Sequence, residues 1–259
     1  MDNVTILIPV YEDWDAVTVL LAELDAALKS LAANVRVLLV NDGSPSPCPA
    51  AALRQGYVKI SRVEVLHLKR NLGHQGAICV GLAYLQPHLG KGDAVLIMDA
   101  DGEDRPDDAR RLLDVFESEG GRRIVFARRT RRSEGLLFRL FYVFYRAAFF
   151  ILTGERMRYG NFCVLAPLHL AALVLMPEVW LNLPAAITRS RLPFGSLPSR
   201  RGTRYAGRSK MTPTRLLLHG LSSICIYNDV IAIRLLVVLA AALVGLTFCL
   251  AALLFLALP

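Results

Sequence analysis

Paired cysteines are missing from this sequence. Cys48, Cys79, Cys163, Cys225 and Cys249 are scattered along the 259 residues with no CxxC-like spacing. That excludes a disulfide framework and a cysteine zinc site, and it suits a reducing compartment. The opening stretch MDNVTILIPV has no basic n-region and no small-residue cleavage site, so no secretory signal is expected. No internal repeat or low-complexity linker is visible. Acid becomes scarce after residue 120. Residues 121–215 hold 18 Lys/Arg against 3 Asp/Glu, whereas residues 1–120 hold 11 against 18. The net charge of +8 therefore conceals an acidic half followed by a basic one, which calls for an anionic partner.

Charge of either sign is absent from Leu235 to Leu258, a run of 24 residues. At 1.5 Å per residue such a helix spans about 36 Å, enough for a hydrocarbon core of about 30 Å. A buried helix of a soluble protein would share this composition, but the length favours a transmembrane helix. Basic residues precede the run and none follow it, so the positive-inside rule places the main body on the cytoplasmic side of the inner membrane. The span, and the lack of any nucleic-acid-binding motif, argue against nucleic acid as the anionic partner. Leu136–Thr153 is apolar nearly all round, with Arg139 and Arg146 seven residues apart on one face. This pattern predicts an interfacial helix; a core helix with two snorkelling arginines is the alternative.

The first 128 residues alternate. Short runs rich in Val, Ile and Leu (Val4–Val10, Val35–Val40, Val63–Leu68, Ala94–Met98, Ile124–Phe126) are separated by helical patterns at Trp14–Leu31, Gly76–Leu85 and Asp107–Phe116. Continuous apolar strands alternating with helices predict an α/β fold with a mostly parallel sheet covered on both faces. Ligands in such sheets bind beyond the carboxyl ends of the strands. Those ends read PVYED, VNDGS, KRNLGHQG, DADGED and ARRTRR. Taken singly, NDGS is an ordinary turn and His74 reads as structural. The cluster Asp99, Asp101, Glu103 and Asp104 is stronger, because carboxylates this close repel one another unless something positive sits among them. A hard cation such as Mg2+ or Mn2+ is commonly held by one or two carboxylates plus substrate phosphates. A solvated acidic turn at a helix start is the plainer alternative.

Seven motifs in order carry a resemblance: IPVYED, NDGS, LKRNLGHQGA, MDADGED, ARRTRR, GNF at Gly160–Phe162 and RYAGRSKM at Arg204–Met211. Over roughly residues 3–234 the chain resembles a family 2 glycosyltransferase of GT-A fold. Within that group it is similar to the polyprenyl-phosphate sugar transferases. The resemblance implies a cytoplasmic GT-A catalytic domain over residues 1–212; Thr212 followed by Pro213 predicts the cap of a juxtamembrane helix over 213–229, and the apolar run predicts a transmembrane helix over 231–258. The resemblance further implies a nucleotide-diphosphate sugar donor and a polyprenyl phosphate acceptor, undecaprenyl or dolichyl, at the membrane; a homo-oligomer is compatible with it.

The resemblance also assigns residues. Pro9, Tyr11, Asp13, Asp42 and Asp99 would line the nucleotide pocket. Asp99, Asp101 and Glu103 would hold the Mg2+ or Mn2+. Arg129 and Arg132 would clamp the acceptor phosphate, with Arg128 and Arg131 offering the same spacing. Arg204, Ser209 and Lys210 would contact phosphate groups. Asp99, Asp101, Arg129 and Arg132 would form the catalytic set. A phosphate monoester is largely ionised at neutral pH, with a second pKa near ~6, so it needs no strong base as nucleophile. The expected reaction is an inverting displacement without a covalent enzyme intermediate.

Several positions depart from the family pattern. Asn41 stands where Asp is more usual, Glu103 where Gln is common, and Asn161 and Cys163 replace the charged residues of Gly-Asp-Phe-Arg. Asn161 therefore has no acidic role and Cys163 no phosphate contact. A processive polysaccharide synthase would carry Gln-x-x-Arg-Trp, and neither Trp14 nor Trp180 lies in that setting. The remaining alternatives are a transferase with another lipid or glycan acceptor and a non-catalytic nucleotide-sugar-binding membrane protein.

Overall fold

The computed structural model describes residues 1–49, 56–130, 136–156, 159–207 and 213–257. Arg132, Ser209, Lys210 and Thr212 lie outside the described residues. Within them, the five expected strands are β1 (Asn3–Val10), β2 (Asn34–Asn41), β3 (Ile60–His67), β4 (Ala94–Ile97) and β5 (Ile124–Arg129). Two more were not foreseen: β6 (Cys163–Leu165) and β7 (Phe194–Ser199). At three residues β6 is too short to show a period, and β7 (FGSLPS) carries Gly and Pro, which read as turn rather than strand. The sheet order is β3-β2-β1-β4-β6-β5-β7. All pairings are parallel except those of β6, which runs antiparallel between β4 and β5.

Strand alternation divides the core in two. Val4, Ile6 and Ile8 of β1 face α1 (Trp14–Ala27) and the helix Pro106–Ser118, which is α3. Leu7 faces the opposite way, toward α2 (Gly73–Leu85), α5 (Pro167–Leu173) and α6 (Leu183–Ser190). Both faces are dry, which is why the strands read as unbroken apolar runs. Three of these helices differ in extent from expectation, α3 running one residue earlier and two later than Asp107–Phe116. α1 stops at Ala27 rather than Leu31, because Leu28 takes non-helical angles and Lys29 and Leu31 close tighter turns. α2 begins at Gly73 rather than Gly76, so His74 and Gln75 lie in its first turn.

The polypeptide then forms α4 (Leu136–Thr153), α7 (Pro213–Cys225) and α8 (Asn228–Ala257). Ile226 and Tyr227, between α7 and α8, are buried with Phe149 of α4 and Ala185 of α6, and this small cluster ties the three helices to the α/β body. α8 is long and apolar enough to cross a membrane, and none of its apolar window is buried against the rest of the protein.

Candidate active site

The carboxyl ends of β1, β2 and β4 converge on one rim. After β2 the chain turns sharply at Gly43 (φ +68°), where any Cβ would fall 2.7 Å from the backbone of Arg70 and Asn71. This close approach lets the loop after β3 cover Asp42. Asp42 is buried, and its Oδ1 accepts from the Leu72 amide at 2.6 Å. Burial raises its pKa, opposed by the Leu72 and Gly73 amides. Asn41 Oδ1 caps the same turn by accepting from Ser44 N, and its Nδ2 donates to His67 Nδ1 at 3.0 Å, so the amide also ties the end of β2 to β3.

The turn after β4 holds the acidic cluster, and arginines supply most of the positive charge it demands. Arg204 bridges two carboxylates: its Nη1 lies 2.8 Å from Asp101 Oδ2, and its Nη2 3.2 Å from both oxygens of Asp13. Arg201 forks Glu103 at 2.7 and 2.8 Å. Arg129 pairs with Asp104 at 3.2 Å and approaches Glu103 at 3.8 Å. Strand alternation sends Arg128 to the other face of β5. Segment 201–205 is laid over the turn by Gly202 N to Glu103 O and Tyr205 N to Asp101 O. Gly102 (φ +86°) is required beneath it, because a Cβ there would enter the Tyr205 ring. An open cleft of about 520 Å³ lies on the outer side of this segment, lined by Glu23, Arg105 and Tyr205; Asp99 and Asp101 do not face it.

Asp99 Oδ1 is buried and has no hydrogen-bond partner. Burial and the neighbouring Asp101 push its pKa up to about 7, opposed by Arg129. Burial also raises Asp104, whose Oδ2 accepts from the Asp99 amide. The proposed trio Asp99, Asp101 and Glu103 does not form a ready metal cage, since among the described residues no three His, Cys, Asp or Glu are grouped to hold an ion. Glu103 pairs with Arg201 instead. Asp99 and Asp101 still suit a hard cation that takes its other ligands from phosphate and water, because an orphaned carboxylate oxygen faces the site.

A hydrogen-bonded chain beside Asp99 was not read from the sequence. The Leu183 amide, which can only donate, bonds Gln75 Oε1 at 2.9 Å. Gln75 Nε2 must then donate to Asn161 Oδ1 at 3.0 Å. Asn161 Nδ2 in turn donates to His74 Nε2 at 2.8 Å. His74 Nε2 is therefore an acceptor and its proton resides on Nδ1. Burial lowers the pKa of His74, partly offset by Asp104, Asp101 and Asp42. Asp99 Oδ1 lies 3.3 Å from the same Nε2 and finds no proton there. The departure from family pattern at Asn161 was the one available signal for this chain.

The glycosyl transferase family 2 model matches residues 5–168, well over half of the polypeptide. The chain belongs to glycosyl transferase family 2. This family 2 member is 34% identical over 134 residues to an undecaprenyl-phosphate 4-deoxy-4-formamido-L-arabinose transferase of Pseudomonas fluorescens, covering 52% of the chain and 37% of the relative. It is 32% identical over 115 residues to the protein of that name in Sodalis glossinidius, covering 44% and 34%. The matched stretches thus span little more than a third of these curated relatives. Among solved structures it is similar to glucosyl-3-phosphoglycerate synthase of Mycobacterium tuberculosis, described in complex with Mn2+, UDP-glucose and phosphoglyceric acid (TM-score 0.61, 15% identity, 86% of this chain and 80% of that one). A second is mannosyl-3-phosphoglycerate synthase of Rubrobacter xylanophilus (TM-score 0.55, 18% identity, 90% and 74%). The fold is GT-A, as the sequence motifs led one to expect.

Proposed function

We propose that this family 2 member transfers a sugar from a nucleotide-diphosphate sugar to a polyprenyl phosphate, with inversion, at the cytoplasmic face of a membrane that α8 crosses. The observation that carries the reading is the Asp101–Arg204–Asp13 bridge beside the orphaned oxygen of Asp99. It gathers both signs of charge at the strand ends, where a diphosphate and a cation need them. The names of the curated relatives support the acceptor class, and a UDP-sugar with Mn2+ in a structural neighbour supports the donor and metal classes.

Pro9, Tyr11, Asp13 and Asp42 line the base and ribose pocket in this reading. Asp99 and Asp101 hold Mg2+ or Mn2+, which when bound neutralises charge building on the leaving diphosphate. Glu103 anchors segment 201–205 through Arg201. Arg204 is placed to exchange its carboxylate partners for phosphate oxygens, where its planar fork suits the geometry. Arg129 neutralises Asp104 and lies at the edge where an acceptor phosphate would approach. The acceptor phosphate attacks as an anion, so no side chain need remove a proton from it, and the lack of an acid at position 161 is tolerated.

The test is an assay of the purified chain in vesicles with undecaprenyl phosphate, a panel of labelled nucleotide sugars, and Mg2+ or Mn2+. A lipid-linked labelled product that disappears with chelator is expected. Binding of a nucleotide sugar without any product would mark a non-catalytic protein, and transfer only to other lipids would overturn the acceptor.

A further inference from the structure

Exposed apolar side chains grouped on one edge of a protein need a cover. Leu175, Trp180 and Leu181 are 82%, 49% and 43% exposed. They cluster around the short 3-10 turn Pro177–Trp180. A single guanidinium ties this turn to α8. Arg189, in the last turn of α6, lies 3.5 Å from Glu178 in the 3-10 turn and forks Asp229, in the first turn of α8, with two 2.8 Å bonds. The turn and the start of α8 therefore sit at one level. Asp229 precedes the uncharged run at Leu235 by six residues, about 9 Å along a helix. A headgroup layer is of that order, about 5–8 Å on each side of the hydrocarbon core. Tryptophan favours this layer, because its ring is apolar while its N–H stays wet.

We propose that the edge formed by Leu175, Trp180 and Leu181 is a further membrane-contact element, seated in the headgroup–acyl boundary of a bilayer beside the entry of α8. The inference rests on the reading that α8 crosses the membrane. Its occupant is a lipid surface for two reasons. The edge is continuous with the start of α8 through Arg189, and it presents a tryptophan and two leucines in a stretch, residues 159–188, that has no Lys or Arg, so its grip is apolar rather than electrostatic. The edge also adjoins the catalytic rim. A Cβ on Gly76 would meet Leu72 and, at 3.8 Å, the Trp180 ring, and Gly76 follows Gln75 of the Asn161–His74 chain. A lipid-borne phosphate rising past Trp180 would meet the site without crossing a wide aqueous gap.

The sequence has only two tryptophans, and Trp14 is buried, so Trp180 is a natural depth reporter. The full chain carrying Trp14→Phe is reconstituted in phosphatidylcholine–phosphatidylglycerol vesicles whose acyl chains are brominated close to the headgroup. Trp180 emission should fall by at least half relative to unbrominated vesicles, and water-borne iodide should quench it less than in detergent-free denaturant. Should Trp14→Phe fail to fold, the unmodified chain serves, because a buried Trp14 leaves the lipid-dependent part of the emission to Trp180. A control chain carrying Trp14→Phe, Trp180→Phe and Leu246→Trp, in vesicles brominated near the acyl-chain ends, reports on α8, because position 246 lies about 16 Å into the apolar run. Lipid quenching of the Leu246→Trp control alone, with Trp180 open to iodide, overturns this contact and leaves the membrane-crossing reading standing. Trp180 shielded from both quenchers points to a second copy of the chain as the cover and also overturns it. Quenching of neither reporter by lipid overturns both readings.

Discussion

Asn161 Nδ2 donates to His74 Nε2 at 2.8 Å, and the direction of that bond is dictated from the Leu183 amide two links away. An aspartate at 161 would accept from both neighbours and leave the imidazole protonated on Nε2. The polarity of His74, beside Asp99, therefore depends on one amide. Asn161→Asp should move the His74 proton from Nδ1 to Nε2 and raise its pKa, as read from ring-nitrogen chemical shifts assigned with His74→Gln. An unchanged tautomer would show that the bond directions are wrong.

Asp101 is bound on one oxygen by the Glu103 amide and on the other by Arg204. If it also serves the diphosphate and its cation, Asp101→Ala should lower kcat by about 10²-fold or more, the scale seen when one preorganised electrostatic partner is removed. Asp101→Asn, which keeps an acceptor for the Glu103 amide, should lose comparable activity with a smaller fall in melting temperature than Asp101→Ala, which separates lost chemistry from lost folding. Near-normal turnover at saturating metal would end the assignment.

Arg129 is the side-chain cation on Asp104, which is 4% exposed. Arg129→Ala strands that carboxylate. Removing one partner of a buried pair costs about 3–5 kcal/mol, and Arg129 is 35% exposed, so a loss near or below the lower bound, about 2–3 kcal/mol, is expected in denaturant titrations at pH 8 or above, where Asp104 is ionised. Adding Asp104→Asn should recover most of the stability but not the activity. A single variant as stable as wild type would show that Asp104 is already protonated.

Buried Asp104 and half-buried Asp99 set a pH dependence with a definite sign. Asp99 and Asp104 have folded pKa values raised to about 7 from 3.8. Between those values the folded chain holds protons that the unfolded chain has lost, so the contribution of these groups to stability declines as pH rises from about 4 to about 7. A divalent cation with a nucleoside diphosphate should offset the loss above pH 7 and have little effect near pH 5. Differential scanning of the chain in detergent, with and without Mn2+ and nucleotide, checks this; a stabilisation by ligand that is larger at pH 5 would refute it.

Gly102 sits at φ +86° with the Tyr205 ring packed where its Cβ would be. Gly102→Ala should lift segment 201–205, moving Arg201 and Arg204 away from Glu103 and Asp101. Activity should drop with a raised KM for donor, and Tyr205→Ala should relieve only the steric part. Kinetics indistinguishable from wild type would show that the segment does not shape the site.

The order of strands and helices through β5 was readable from the sequence because a parallel sheet buried on both faces writes itself as short Val, Ile and Leu runs. Arg204 came from the family resemblance carried by RYAGRSKM, whereas the rim residues Asp13, Asp42, Asp99 and Asp101 were readable as the polar ends of such runs. β6 and β7 were not, since a three-residue strand and one containing Gly and Pro carry no local signal and exist through their neighbours. Nor were the partners of Glu103, Asp104 and His74: Arg201, Arg129 and Asn161 lie 98, 25 and 87 residues away, and no periodicity spans such distances. The sequence by itself determined that acid would gather at the end of β4 and that α8 would be apolar enough for a membrane, because both follow from local composition. Which acid meets which arginine, and which nitrogen of His74 bears the proton, only the tertiary structure decided, because those outcomes depend on hydrogen-bond directions relayed between distant segments.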